Sequence, residues 1–283
     1  MLLIIVLTIS LFFVLYKIRH HLNNSLLFYP VKMNRPTRSE LDEMSRKHGQ
    51  NISIRDGIID SSDNVKIHYI LLKNDKSNKV FLYSHGNSYN ISNKSDSSII
   101  KLLLKHGSVI MYDYRGYGAS TGYPTDRGLK DDILAVWNHA ISIFHFKEED
   151  IILYGESLGC SLTSWLCSYL SENDKKMPKF IILQSGFYSL KRIVSDLFHP
   201  LLSYLIVHDF NNAHYIKKIK LKHPQYKILL IHSKKDELID FSHAKDLTSE
   251  YNCHLLEVDG FHNTPKFDKK SDDIIQEWLS DKN

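Results

Sequence analysis

The stretch from Asp150 to Leu166, DIILYGESLGCSLTSWL, begins as a short apolar run, turns at two glycines and continues with helical spacing. Ser157 stands at the turn, between Gly155 and Gly159, in the pattern G-x-S-x-G. A strand-to-helix turn of this kind strains the backbone of its central residue, and only very small neighbours permit it. We therefore predict that the hydroxyl of Ser157 stands clear of the backbone as a nucleophile, facing the first amides of the helix.

Other apolar runs of similar length surround this stretch, and each ends at a turn or a small residue. They read KVFLYSHG, SVIMYDY, KFIILQSG, KILLIHS and HLLEVDG, and two further runs, ISIRDGIID and NVKIHYILL, flank the turn SSDN. Segments with helical spacing, such as residues 129–144, lie between them. Buried strands that alternate with helices indicate an α/β fold with a mainly parallel central sheet flanked by helices. Chemistry in such sheets takes place beyond the carboxyl ends of the strands.

This pattern predicts one catalytic domain over residues 51–283, preceded by a linker, residues 20–50, that packs on it. Residues 191–225 intervene between two core strands and are expected to form a small cap. The cap contains the apolar segment LFHPLLSYLIVHDF. Two interpretations of that segment stay open, since it would either line a channel for an acyl chain or simply pack on the sheet.

Composition excludes several classes of function. The chain has 283 residues and a formal net charge of +4, without a basic block of the kind that follows a phosphate backbone, so no nucleic-acid partner is expected. Its three cysteines show no C-x-x-C spacing, which argues against a disulfide framework and a zinc site. The glycines of YDYRGYGASTG lack the dinucleotide-binding spacing. We predict neither a cofactor nor a metal.

The N-terminus, MLLIIVLTISLFFVLY, is almost wholly apolar from Met1 to Tyr16, and Lys17 and Arg19 follow it. A secretory signal peptide carries its positive charges before the apolar run and a small-residue cleavage site after it. Residues 1–19 therefore favour an uncleaved signal-anchor, a transmembrane helix of a single-pass membrane protein, although a signal peptide remains the alternative. The positive charges after the run favour a cytoplasmic catalytic domain, whereas four N-x-S sequons fit a lumenal one.

A serine nucleophile needs a base and an acid that orients the base. His262 follows the run HLLEVDG in the stretch DGFHNTP and is the predicted base. The acid should lie between serine and histidine in the chain, and Asp236, just beyond KILLIHS, is favoured. Asp240 is the competitor, but the start of a helix explains it as an N-cap. Asp259 lies too close to His262 in the sequence.

Two backbone amides must face the oxyanion of a tetrahedral intermediate. One is the N–H of Leu158, directly after the serine. The other is expected from the loop that begins His85-Gly86-Asn87, where Asn87 supplies the N–H and His85 braces the loop. Three aromatic residues follow strand ends and are candidate pocket walls, with core packing as the alternative: Tyr89, Phe187 and Tyr188.

The motifs HGN, DYRGYGAS, GESLG, HSKKDELIDFSHA and DGFH stand in an order that resembles the α/β-hydrolase superfamily. More narrowly, the chain resembles the single-pass membrane-anchored serine hydrolases related to protein depalmitoylases. The resemblance implies that Ser157 is the nucleophile, Asp236 the acid and His262 the base, with oxyanion amides at Asn87 and Leu158. The sequence departs from the family at Ser233, where glycine is usual, and at Phe261, where a small residue is usual.

The resemblance and the motifs together predict a serine hydrolase that cleaves carboxylic ester or thioester bonds through an acyl-enzyme. An anchored enzyme meets membrane-borne acyl chains at high effective concentration, which favours lipids or lipidated substrates. The alternatives are a serine peptidase or an acyltransferase on the same fold, and a non-catalytic binding module.

Overall fold

The computed structural model describes residues 23–25, 27–49 and 51–280. Within them, a sheet of nine strands forms the centre of the molecule. The strands are β1 (Ile52–Asp60), β2 (Lys66–Asn74), β3 (Val80–Ser84), β4 (Ser108–Tyr112), β5 (Ile151–Glu156), β6 (Phe180–Gln184), β7 (Ile228–Ser233), β8 (His254–Phe261) and β9 (Thr264–Lys266).

The strands follow one another across the sheet in the order β1-β2-β4-β3-β5-β6-β7-β8-β9. Every neighbouring pair from β4 to β8 is parallel, while β1, β2 and β9 pair antiparallel. The predicted α/β fold with a mainly parallel sheet is thus confirmed. The carboxyl ends of β3, β5, β6, β7 and β8 meet along one edge, which is where the predicted site residues lie.

Helices connect the strands. They are α1 (Arg38–His48), α2 (Ile91–Lys94), α3 (Ser98–His106), α4 (Asp126–Ser142), α5 (Leu158–Glu172), α6 (Leu190–Leu197), α7 (Asn212–Lys222), α8 (Ser242–Tyr251) and α9 (Lys269–Leu279). Short 3₁₀ turns cover Ser62–Asn64, Glu148–Asp150 and Pro200–Leu205. None of the helices formed by the described residues is long and apolar enough to cross a bilayer. The predicted anchor, residues 1–19, lies outside the described residues.

The central strands are buried on both faces, which explains their continuous apolar sequences. Successive side chains of β5 alternate between two cores, with Ile151 and Leu153 in one and Ile152 and Tyr154 in the other. Residues of α4, α5 and α7 complete the first core, and residues of α3 and α9 complete the second. This burial fixes the register of the strands and therefore the positions of their ends.

The segment predicted as a cap, residues 191–225, divides into two parts. Its second half forms α7, whose buried side chains, including Ile216 and Ile219, join the first core beside α5. This half is therefore a core helix of the fold rather than part of a cap. The first half comprises α6 and the 3₁₀ turn Pro200–Leu205, and large apolar side chains on it are exposed. We call residues 190–205 the cap.

Described residues of the predicted linker, residues 20–50, contact the domain at several points. Phe28 is buried, with its ring edge-on to Phe210 at a centroid distance of 6.1 Å. Lys32 forms a β-bridge with Gly118. Thr37 and Glu40 cap α1 reciprocally, because each side chain accepts the other's backbone N–H.

Candidate active site

Ser157 occupies the turn between β5 and α5. Its backbone has φ 52° and ψ −112°, a conformation in which residues other than glycine are uncommon and strained. Its N–H donates to the carbonyl of Gln184 on β6 at 2.9 Å. The neighbouring strand thus holds the strained turn in place, so that the hydroxyl stands at the edge of the sheet.

The two glycines of the turn are required by close approach. A Cβ added at Gly159 would lie 2.1 Å from the carbonyl oxygen of Ser84, and one added at Gly155 would lie 2.6 Å from the Cα of Cys160. Neither glycine has a positive φ. The first turn of α5 therefore packs directly against the backbone at the end of β3, and a side chain at position 159 would separate them.

Three predicted side chains form a continuous chain of contacts. His262 Nε2 lies 3.1 Å from Ser157 Oγ, and His262 Nδ1 lies 2.8 and 3.0 Å from the two carboxylate oxygens of Asp236. The side chain of Asp236 is fully buried, and His262 is nearly so. The imidazole can accept a proton from the serine on one side while the carboxylate orients it on the other.

The carboxylate of Asp236 stays ionised in this setting. Burial alone would raise its pKa, but hydrogen bonds from His232 and His262 and the positive charge that His262 acquires outweigh burial and hold the pKa well below its usual value. Its Oδ1 also accepts the backbone N–H groups of Leu238 and Ile239 at 3.0 and 2.8 Å. The acid is therefore fixed in both position and charge.

His262 is carried by a tight hairpin. It follows β8 and precedes β9, whose pairing brings Phe261 opposite Thr264. Its N–H donates to the carboxylate of Glu237 at 3.0 Å. Gly260, with φ 101°, permits the hairpin because an added Cβ would lie 2.2 Å from Thr264 O. Phe261 is 56% exposed, so its bulk is directed largely to solvent.

The competing carboxylates are engaged elsewhere. Asp240 Oδ1 accepts the N–H of Ser242, the first residue of α8, 2.8 Å away, although the N-cap residue of this helix is Phe241 and not Asp240 as predicted. Asp259 is exposed and pairs with Lys235 at 3.2 Å. Of the three candidates considered, Asp236 is the carboxylate that contacts His262 Nδ1.

The His85-Gly86-Asn87 loop passes beside the serine. A Cβ added at Gly86 would lie 3.5 Å from Ser157 Cβ. Among the described residues, no backbone acceptor takes the N–H of Asn87 or of Leu158. Both amides are therefore available to an oxyanion formed next to Ser157.

Three contacts hold the His85-Gly86-Asn87 loop in position. The ring of His85 stacks on Tyr114 with centroids 4.1 Å apart, and burial lowers its pKa and keeps it neutral. The hydroxyl of Tyr117 donates to the carbonyl of Asn87 at 3.0 Å. The side-chain amide of Asn87 donates to the carbonyl of Leu27 at 2.5 Å. The N-terminal stretch thus contributes directly to the position of the loop.

Two polar groups of the site escape prediction from sequence. His232, inside β7, lies with Nε2 3.3 Å from Asp236 Oδ2 and 3.0 Å from the carbonyl of Ile239. Glu156, the residue before the serine in the G-x-S-x-G pattern, is buried. One of its carboxylate oxygens accepts a hydrogen bond from the hydroxyl of Tyr83, and the other accepts from Lys94 at 2.6 Å. The sequence nevertheless contains one indication of His232 and Glu156, because each is a polar residue within an otherwise apolar strand.

The three aromatic residues predicted as candidate pocket walls differ in their surroundings. Phe187 is buried in the first core, so packing explains it. Tyr188 turns toward α8 and donates to Glu250 at 2.8 Å. Tyr89 is half-exposed, with φ 73°, and its ring lies near Lys94. Only Tyr89 stays a candidate for the rim of the site.

Models of two protein families match the chain. The family described as "Serine hydrolase (FSH1)" matches residues 147–274. The family described as "alpha/beta hydrolase fold" matches residues 79–199. The first match contains all three residues of the Ser157–His262–Asp236 chain, and the second contains the loop of Asn87 and the serine turn.

Relatives extend the match over most of the chain. The uncharacterized protein R595 of Acanthamoeba polyphaga mimivirus is 31% identical over 259 residues, which cover 87% of each chain. The human alpha/beta hydrolase domain-containing protein 17B is 32% identical over 163 residues, which cover 58% of this chain and 52% of that protein.

Solved structures share the fold. An α-β hydrolase from Vibrio vulnificus has a TM-score of 0.70 at 18% identity and covers 92% of this chain and 91% of its own. The esterase Pf2001 of Pyrococcus furiosus has a TM-score of 0.64 at 19% identity, with 89% and 94% covered. The sheet order, the serine turn and these matches define an α/β hydrolase. The chain belongs to the α/β-hydrolase superfamily, and it is a serine hydrolase of the esterase-like kind.

Proposed function

We propose that this protein hydrolyses carboxylic esters or thioesters through an acyl-enzyme on Ser157. The observation that carries the proposal is the unbroken contact from Asp236 through His262 to Ser157 Oγ. A buried serine hydroxyl without such a base is barely nucleophilic. Here the base lies within hydrogen-bond reach and its orienting acid is ionised.

The positions of these atoms support the following reaction. Ser157 Oγ attacks the acyl carbonyl while His262 Nε2 takes its proton, and Asp236 stabilises the imidazolium. The N–H groups of Asn87 and Leu158 donate to the oxyanion. His262 returns the proton to the departing alcohol or thiol, which leaves the acyl group on the serine. A water molecule, deprotonated by His262, then releases the acid and restores Ser157.

The substrate class proposed is a lipid or a lipidated molecule, met at a membrane. The support is the apolar sequence Met1–Tyr16, proposed as a single-pass anchor over residues 1–19. An enzyme held at a bilayer meets membrane-borne acyl chains at a raised effective concentration. The anchor and the side of the membrane that holds the domain stand as proposals with the substrate.

The test is labelling of the full chain in detergent micelles with a fluorophosphonate, which reacts covalently with activated serines. We expect the wild type to be labelled and Ser157→Ala to be unlabelled. Ser88→Ala is the matched control, because Ser88 is exposed and lies one residue beyond Asn87. Its labelling should equal that of the wild type.

Turnover of short acyl esters and acyl thioesters should disappear with Ser157→Ala while the circular dichroism spectrum stays that of the wild type. Folded wild-type protein that takes up no label would contradict the proposal and favour a non-catalytic binding module. Cleavage of peptide anilides at rates above those of esters would point instead to a peptidase.

A further inference from the structure

The cap carries a run of exposed apolar side chains. Phe198 is 72% exposed and Leu201 is 68% exposed, and Leu197 and Leu202 beside them are also exposed. We call these four residues the cap face. Single exposed apolar residues are ordinary on protein surfaces, but a cluster marks a site of interaction. The cap face itself is exposed, whereas the second half of the same apolar segment packs on the fold, since Phe210 is buried in the first core and Ile206 packs against it.

The N-terminal stretch lies against the cap. The side-chain amide of Asn23 donates to the carbonyl of Leu205 and accepts the N–H of Val207, both at 3.3 Å. Four residues later the carbonyl of Leu27 accepts from Asn87. The chain therefore runs between the cap and the oxyanion loop before Phe28 enters the core.

Chain length limits how far the apolar N-terminal sequence can be from the cap. Seven peptide units separate Tyr16 from Asn23, and seven residues span at most about 25 Å when fully extended. A bilayer that holds Met1–Tyr16 is consequently within that distance of Asn23, and so close to the cap face. The intervening Lys17 and Arg19 suit the level of the lipid head groups.

We propose that the cap face docks onto the lipid bilayer, with Phe198 and Leu201 placed at the boundary between head groups and acyl chains. The proposal rests on the proposed anchoring of residues 1–19 and is independent of catalysis. A tether raises the effective concentration of the domain at the membrane, so a few apolar side chains suffice to orient it.

Two other occupants fit the cap face less well. A second copy of the chain is disfavoured because stable protein interfaces involve roughly 20–30 residues on each side, whereas the whole cap exposes six large apolar side chains, the four of the cap face and those of Tyr204 and Leu205. The segment Met1–Tyr16 is apolar on every side, so folding it onto four side chains would leave most of its surface in water. A bilayer accommodates both the segment and the cap face.

Docking in this way would hold the edge of the sheet that carries Ser157 through two connections of the cap. The cap follows β6, whose last residue accepts the N–H of Ser157, and the N-terminal stretch joins the cap to the oxyanion loop. Docking would therefore favour, within the proposed substrate class, molecules whose acyl chain resides in the membrane.

The test places an environment-sensitive fluorophore on a new cysteine, in the full chain bound to phosphatidylcholine vesicles. Leu201→Cys reports on the cap face. Leu221→Cys is the matched control, because Leu221 is an exposed leucine near the end of α7. The next residue, Lys222, donates to a backbone carbonyl in the last turn of α5. Ser157 precedes the first turn of α5, so position 221 lies at the opposite end of that helix from the serine. The three native cysteines are buried, so labelling under native conditions is selective.

Membrane docking predicts that vesicles shield the label at position 201 from aqueous iodide by roughly fivefold or more, and that lipids with spin-labelled acyl chains quench it. The label at position 221 should show neither effect. Equal iodide access at both positions on vesicle-bound protein would overturn the proposal. Shielding at 201 without quenching by lipid would also overturn it, because protein would then cover the cap face.

Flotation with the vesicles measures anchoring separately, and protein that fails to float would refute the anchor and the docking together. Hydrolysis of a soluble short-chain ester by both labelled variants, at the wild-type rate, shows that the site is intact. If the label at position 201 showed neither shielding nor quenching while this hydrolysis continued, the docking proposal would fail and the proposed ester hydrolysis would be unaffected.

Discussion

Asp236 is held by groups from three directions. Two backbone N–H groups of its own loop and His262 bind its Oδ1, and His232 lies beside Oδ2 from inside β7. His232 does not touch the serine, so we regard it as a positioning residue. Because it also reaches the carbonyl of Ile239, it joins the strand, the loop and the acid in one network.

Replacement of His232 tests that role at the scale of single residues. A hydrogen bond to a charged group contributes about 1.5–3 kcal/mol, which corresponds to roughly 10–150-fold in rate. We expect His232→Ala to lower kcat by that factor on a soluble ester, with KM unchanged. His232→Gln keeps a donor and should recover part of the loss.

A merely structural role for His232 would change stability without this pattern. Urea unfolding of both variants therefore accompanies the kinetics. If His232→Ala kept the wild-type kcat, Asp236 would be sufficiently held by its other donors. If the Gln variant were as slow as the Ala variant, the loss would come from the packing of the imidazole and not from its hydrogen bond to Asp236.

Some residues of the site could be predicted from the sequence and others could not. Ser157 and His262 lie in short motifs that end predicted strands, and the structure brings both together with Asp236. His232 was not predicted because a histidine within an apolar strand has many possible neighbours. Its partner comes from a loop, and the path of a loop depends on packing that no local pattern encodes.

At the scale of elements, the contact between α5 and β3 determines where Ser157 stands. Gly159→Ala would place a Cβ 2.1 Å from Ser84 O, and both atoms belong to rigid elements. Overpacking of this kind costs roughly 1–3 kcal/mol or more. We expect a variant that still folds to lose stability in urea and most of its esterase activity, since α5 and Ser157 must shift together.

Ser164→Ala is the control for Gly159→Ala. Ser164 lies on the same helix, α5, and its buried hydroxyl has no hydrogen-bond partner among the described residues. Removing it should leave stability and activity near those of the wild type. Wild-type activity in Gly159→Ala would show that the turn tolerates a shift of the helix.

The elements themselves were largely predictable. Each apolar run assigned to a strand is one. For β3 to β7 the reason is burial on both faces of the sheet, which leaves continuous apolar sequences, whereas β1 and β8 are only partly buried. The extent of the cap was not predictable. The spacing of Ala213, Ile216 and Ile219 is that of an amphipathic helix, but sequence does not say whether such a helix packs on the sheet or above it.

At the scale of the whole molecule, the N-terminal stretch joins the first core, the oxyanion loop and the cap. Phe28 is its only deeply buried side chain among described residues 23–37. We expect Phe28→Ala in the full chain to lower the free energy of unfolding by about 3–5 kcal/mol. Its loss should also lower kcat, because Leu27 next to it receives the Asn87 amide.

Tyr29→Ala is the matched control for this change, since the ring of Tyr29 is exposed one residue further on. It should leave stability and kcat near the wild-type values in the same urea and ester assays. An unchanged kcat in Phe28→Ala, despite lower stability, would mean that the loop holds its position without the N-terminal stretch.

The burial of the cysteines bears on how the proposed attachment to a membrane could be made. Burial raises the pKa of Cys160 far above its ordinary value and those of Cys167 and Cys253 to about 12. Protonated, enclosed thiols are poor acceptors of an acyl group. Cys160, Cys167 and Cys253 are therefore poor sites for palmitate in the folded domain, and the proposed attachment to a membrane would depend on residues 1–19.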